Sequence, residues 1–219
     1  MKLENLRVAV LGDSITQGVG VADPKSCYHA LLAEKYHWNA TVDGISGTRI
    51  APQEKVWDWE EPRMKEDFCG RVKNLPQDAD LLIFFGGTND FGHGDTPFGA
   101  WGDHKPSTFC GAVFSMMREM VERLPGAVKV ICTPLHRLNE GNPCGDVKPQ
   151  PVATLEEYVE IIRKTAAYFA LPVMDFYALS GLQPRVPIIQ QTYVPDGLHP
   201  NEEGHKLLAV RLEGFLLSL

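Results

Sequence analysis

Near its start the chain reads Gly12-Asp13-Ser14-Ile15-Thr16, and near its end Pro195-Asp196-Gly197-Leu198-His199-Pro200. A serine hydroxyl becomes a nucleophile when a histidine Nε2 takes its proton and a carboxylate holds that histidine's Nδ1–H. Ser14, His199 and Asp196 are the three groups this needs. Asp196 stands three residues before His199, and Gly197 between them allows a turn that folds the carboxylate back onto the ring. Pro195 and Pro200 stiffen that turn. Each segment alone also has a plainer reading: Ser14 as the capping serine of a turn, and Asp-x-x-His as a structural pair. A phosphate loop is not indicated, since the lysine of G-x-x-x-x-G-K-[ST] is missing, and the G-x-G-x-x-G spacing of a dinucleotide site is not met.

Two further clusters offer donors for a developing oxyanion. Gly86-Gly87-Thr88-Asn89-Asp90 carries the Asn89 amide, a neutral donor, behind two glycines that let a ligand approach the backbone. Gly44-Ile45-Ser46-Gly47-Thr48-Arg49 offers the Gly47 N–H, and the Ser14 N–H makes a third donor. Both clusters also read as ordinary turns. Together, a nucleophile, a base with its orienter and three donors meet the needs of acyl transfer through a tetrahedral intermediate.

Five apolar runs are positioned to carry these groups: Arg7 to Leu11, Ala40 to Asp43, Leu81 to Phe85, Val128 to Cys132 and Pro172 to Asp175. Continuous apolar runs of this length predict strands buried on both faces, as in a parallel sheet. Amphipathic stripes lie between and after them, over Ser115 to Leu124, Leu155 to Phe169 and Leu208 to Leu219, the last with Asn201 as N-cap. The Met116, Met117, Met120 stripe reads as core packing more readily than as a binding face. Alternating strand and helix predicts one α/β/α layered domain over residues 1–219, with right-handed crossovers. The Gly- and Pro-rich loops after the third, fourth and fifth runs are over-long, and in such folds ligands bind beyond the carboxyl ends of the strands.

Composition narrows the partners. The 219 residues carry 21 Lys+Arg against 28 Asp+Glu, a net charge of −7 that argues against nucleic-acid binding. The longest strongly apolar run, Leu81 to Phe85, is far short of a membrane span. The first residues, MKLENLRVAVLGDS, show no secretory leader, so a cytoplasmic location is expected. Five cysteines without a C-x-x-C pair suit reduced, buried thiols. Oligomeric state is left open, a dimer being only the generic expectation.

In order, G-D-S-x-T at residues 12–16, S-G-x at 46–48, G-G-T-N-D at 86–90 and D-x-x-H at 196–199 resemble the four blocks of the SGNH, or GDSL, hydrolases. The resemblance runs from Arg7 to the C-terminal helix. It implies a flavodoxin-like sandwich with five parallel strands. It also implies Ser14 as nucleophile, His199 as general base then acid, and Asp196 as its orienter. The N–H groups of Ser14 and Gly47 with the Asn89 side chain would form the oxyanion hole. Many members carry Asn a few residues ahead of the second-block glycine; Val42-Asp43 stand here, which leaves open what supports that loop. The G-x-S-x-G elbow of α/β-hydrolases is absent.

Asp13, Phe91, His136 and Arg137 are candidate substrate contacts, Arg137 because guanidinium suits anionic groups. Phe98 and Trp101 either line a pocket or anchor their loop, and Trp57 and Trp59 either wall the cleft or form a contact surface. Ser46 reads as a turn residue. His93, Asp95, Asp103 and His104 match no metal-ligand spacing and read as solvated loop residues or polar cover over the cleft. The reading is a serine esterase acting on a small or carbohydrate-linked ester, an acetyl ester among them, without metal or organic cofactor. Its alternatives are a thioesterase or lysophospholipase on longer acyl chains, and a non-catalytic saccharide-binding module on the same fold.

Overall fold

Each apolar run becomes a strand. In the computed structural model, which describes residues 1–53 and 62–219, β1 spans Arg7–Gly12, β2 Asn39–Gly44, β3 Leu81–Phe85, β4 Val128–Cys132 and β5 Val173–Met174. They form one sheet in the order β2-β1-β3-β4-β5, all neighbours parallel. This is the flavodoxin-like strand order, whose switch point lies between β1 and β3. Helices α1 (Ser14–Gln17) and α2 (Tyr28–Tyr36) precede β2, and α3 (Phe68–Arg71) precedes β3. Then come α4 (Thr88–His93), α5 (Phe109–Arg123) and α6 (Leu155–Tyr168), followed after β5 by α7 (Phe176–Leu179), α8 (Pro187–Tyr193) and α9 (Glu202–Ser218).

Alternation along the strands divides the core in two. Ala9, Leu11, Leu82, Phe84 and Ile131 face α5 and α6, where Met116, Met117, Met120, Leu155 and Ile162 are fully buried. Val8, Val10, Leu81, Ile83 and Val130 face α2 and α9, packing on Tyr28, Leu32, Leu208 and Leu212. The result is the expected α/β/α sandwich, and the methionine stripe is core.

Three details depart from expectation. β2 is an edge strand with Val42 exposed, because only β1 covers its side. β5 has two residues, pairing only with Ile131 and Cys132. Helix α5 begins six residues before the apolar stripe predicts, at a Thr108 cap whose Oγ1 accepts from the Gly111 N–H at 3.1 Å. The Asn201 cap forms as expected, its Oδ1 accepting from Gly204 N–H at 3.0 Å.

Register sets the site. Gly12 pairs with Gly44 and Phe85, and Phe85 with Cys132, so these strands end on one line. The loops bearing Ser14, Gly47, Asn89 and His136 therefore leave the same edge. All five cysteines are free. Among the described residues, no helix is long and apolar enough to cross a membrane.

Candidate active site

Ser14 is the first residue of α1, placed directly beyond the end of β1 and buried. Asp13 caps that helix, its Oδ1 accepting from Ile15 N–H at 3.1 Å. Opposite stands the turn between α8 and α9. Asp196 Oδ1 accepts from the N–H groups of Leu198 (2.9 Å) and His199 (2.7 Å), and its Oδ2 lies 2.6 Å from His199 Nδ1. Gly197 makes this turn with φ +78°, a conformation that suits glycine, and its oxygen accepts from Leu138 N–H at 3.1 Å. His199 Nε2 then sits 3.0 Å from Ser14 Oγ.

Burial pulls the Asp196 carboxyl upward, but the hydrogen bonds from His199 and Leu198 outweigh it and hold the group below its ordinary value. Asp196 is thus ionised at neutral pH and can accept an N–H from His199 Nδ1; in that tautomer Nε2 faces Ser14 Oγ as an acceptor.

The three candidate oxyanion donors sit on loops that leave this same sheet edge. The N–H groups of Ser14 and Gly47 find no acceptor among the described residues. Gly47 has φ +74°, a left-handed conformation that favours glycine, and a Cβ there would lie 2.8 Å from Met64 Sδ, a contact the flexible methionine side chain would have to yield to. The Asn89 amide, on the first turn of α4, donates one hydrogen to Thr48 O at 3.0 Å and keeps a second.

Two groups that sequence reasoning did not single out hold this frame. The Asp90 carboxylate accepts from Ile50 N–H (2.8 Å) and Ala51 N–H (3.0 Å), joining α4 to the loop after β2. Burial pushes Asp90 up to about 6 despite those bonds, and pushes Asp13 up to about 7. Arg71, buried at the end of α3, donates to Asp43 Oδ2 (3.0 Å), Thr48 Oγ1 (2.8 Å) and Gly12 O (3.0 Å), and also to Asp43 O. No local pattern marks an arginine for burial. The carboxylate of Asp43, the Thr48 hydroxyl and the strand-end carbonyls explain it.

Several expected substrate contacts are placed otherwise. Phe91 is fully buried in the core, against Tyr158, and offers no surface to a ligand. Asp13 is 1% exposed and spent on its helix cap. Arg137 is 5% exposed, with Nη2 forked onto Asp146 Oδ1 (2.7 Å) and Oδ2 (2.8 Å). Its Nη1 donates to Thr88 O, 3.3 Å away, so its charge is answered within the protein and braces α4. His136 keeps a partly exposed ring, its Nδ1 2.6 Å from Glu140 Oε2. Phe98 packs on Phe109 and Tyr158, anchoring its loop, while Trp101 is half exposed under Lys164. His93 is no solvated loop residue: it closes α4 and is buried. Asp103 holds Ala100 N–H and Thr108 Oγ1, and His104 stacks on Phe114. Trp57 and Trp59 lie outside the described residues. Among those residues, no three His, Cys, Asp or Glu side chains are grouped to hold a metal.

The family model of the GDSL-like lipases and acylhydrolases matches residues 10–207, from β1 into α9. The chain belongs to the GDSL-like lipase/acylhydrolase family. As a GDSL hydrolase it shares its fold closely with a protein from Lactobacillus plantarum, at 30% identity and TM-score 0.82, over 98% of both chains. A lipase/acylhydrolase from Enterococcus faecalis is 20% identical with TM-score 0.63, over 94% of this chain and 93% of the other. A two-domain esterase active on acetylated mannans is 19% identical with TM-score 0.62, over 98% of this chain and 49% of that one. No curated protein matches the chain. Membership makes this an ester hydrolase by family.

Proposed function

We propose that this GDSL hydrolase is a serine esterase that cleaves a small or carbohydrate-linked carboxylic ester, acetyl esters foremost, through an acyl-serine intermediate. The observation that carries the reading is the line from Asp196 Oδ2 to His199 Nδ1 (2.6 Å) and from His199 Nε2 to Ser14 Oγ (3.0 Å), between residues 185 apart in sequence. Ser14 Oγ attacks the ester carbonyl carbon as His199 Nε2 takes its proton, and Asp196 stabilises the imidazolium. The carbonyl oxygen becomes an oxyanion held by the N–H groups of Ser14 and Gly47 and by Asn89 Nδ2. Collapse breaks the carbon–alkoxide bond, and His199 returns the proton to the leaving alcohol. Water then gives a proton to His199 as it attacks the acyl-serine carbonyl, and the acyl carbon–Ser14 Oγ bond breaks as His199 returns that proton to Oγ, releasing the acid.

A shared fold with an esterase active on acetylated mannans supports acetyl esters as the first substrates to try. The test is hydrolysis of short p-nitrophenyl esters by the parent and by Ser14→Ala, with a loss on the order of 10⁶ in kcat expected. A Ser14→Ala protein as fast as the parent sinks the assignment. Acetate release from acetylated sugars, with an acyl series from acetyl to palmitoyl, sets the substrate; rates that climb toward palmitoyl turn it to a long-chain acylhydrolase.

A further inference from the structure

Behind Asn89 lie two buried polar side chains that the acyl-transfer steps leave unused. Arg49 is fully buried and His93 is 6% exposed. Arg49 Nη1 is 2.8 Å from His93 Nδ1, and His93 Nε2 is 3.3 Å from Asn89 Oδ1. Asn89 and His93 stand four residues apart on α4, so they share one helix face.

The chemistry of the partners fixes the protons. A guanidinium only donates, so His93 Nδ1 must be bare. The neutral ring then carries its single proton on Nε2, facing Asn89 Oδ1, which only accepts. That contact orients the amide: its oxygen is turned to His93 and its NH₂ to Thr48 O, which keeps the remaining N–H as a donor. The reverse amide would aim oxygen lone pairs at an oxyanion.

Resting on the reading of Asn89 as an oxyanion donor, we infer that Arg49 and His93 are positioning residues. They hold the Asn89 amide in its donating orientation through hydrogen bonds that run from guanidinium to imidazole to amide oxygen. Each donor in the chain polarises the next, which strengthens the N–H aimed at developing negative charge. Burial, with the neighbouring Arg49 charge, lowers His93 to about 3, so the ring stays neutral and the chain keeps its direction through the neutral range.

The experiment has a spectroscopic arm and a kinetic arm. Long-range ¹H–¹⁵N spectra of the ¹⁵N-labelled parent protein should show His93 as the Nε2–H tautomer from pH 5 to 8. A ring protonated on Nδ1, or on both nitrogens, overturns the inference without need of any variant. His93→Phe removes the donor, and His93→Gln restores one. An oxyanion donor is worth about 10²–10³ in kcat, so its misalignment in His93→Phe should cost about 10–100-fold in kcat on p-nitrophenyl acetate, with KM within about twofold. His93→Gln should recover most of that loss. A His93→Phe protein with parental kcat, or a loss that Gln does not recover, overturns the inference while leaving the esterase reading intact. Parental rates in Ser14→Ala, run alongside, would instead remove the reading beneath it.

Discussion

Arg71 Nε lies 3.0 Å from Asp43 Oδ2, and the same guanidinium reaches Gly12 O and Thr48 Oγ1. One side chain thereby ties the end of β1, just before Ser14, to the end of β2 and to the loop that carries Gly47. Many family members place an asparagine ahead of that loop. Here Asp43 occupies the neighbourhood, and its pair with Arg71 braces the loop. Arg71→Met should lower stability by about 2–4 kcal/mol, the cost of stranding several buried acceptors discounted because Asp43 is one-third exposed. Arg71→Lys should recover only part, because an ammonium cannot fork onto acceptors spread around a plane. Urea unfolding measures both, and a midpoint unchanged in Arg71→Met would refute the bracing role.

Asp196→Asn tests the orientation of His199. An amide can donate to Nδ1 and trap the ring with its proton on Nε2, where it cannot accept from Ser14. The loss in kcat reaches about 10⁴ where such a carboxylate is buried. With the Asp196 side chain 55% exposed, a smaller loss, on the order of 10²–10³, is expected. Single-turnover acylation with p-nitrophenyl acetate is the measurement, and a loss under about threefold would place the ring's orientation elsewhere.

His205, on α9 six residues after His199, predicts an acid-side slope in stability. It is fully buried, with Nδ1 accepting from Tyr28 N–H at 3.1 Å. Burial, with His29 nearby, lowers it to about 4, whereas the unfolded chain has the ordinary value near 6.5. Between those values the unfolded state binds the extra proton. Its contribution is therefore whole above pH 6.5 and is lost as pH falls to about 4, by up to about 3 kcal/mol. Asp13 and Asp90 act with the opposite sign, because burial raises them and their contribution fades as pH rises through about 7 and about 6. The discriminating measurement is thus the difference between parent and His205→Gln, whose side-chain oxygen can still accept from Tyr28. The variant should lose less stability from pH 6.5 to 4, and parallel curves would show that His205 does not titrate as argued.

Much of this site was legible before any fold was in view. Uninterrupted apolar runs can be buried on both faces, so Leu81–Phe85 and Val128–Cys132 match their strands end to end. Where burial was one-sided or the strand short, as in β2 and β5, the ends shifted. The first half of α5 escaped notice because a Gly-containing segment ahead of the periodic stripe announces no helix face. Candidate substrate contacts were the least legible. Phe91 and Arg137 have the chemistry of ligand contacts, yet one fills the core and the other is claimed by Asp146, nine residues on.

Side-chain type and order along the chain determined the strands, the edge where the loops gather, and the groups proposed as nucleophile, base and donors, since these follow from local periodicity and from what each functional group can donate or accept. Tertiary structure alone decided which polar groups are spent on the protein itself. Arg71, Arg49, Arg137 and His93 look like solvent-facing residues in any local window, because burying a charge or an imidazole is costly unless partners meet it. Those partners, Asp43, His93, Asp146 and Asn89, are supplied largely by other loops of the same sheet edge, and only the closed fold brings them within hydrogen-bond reach.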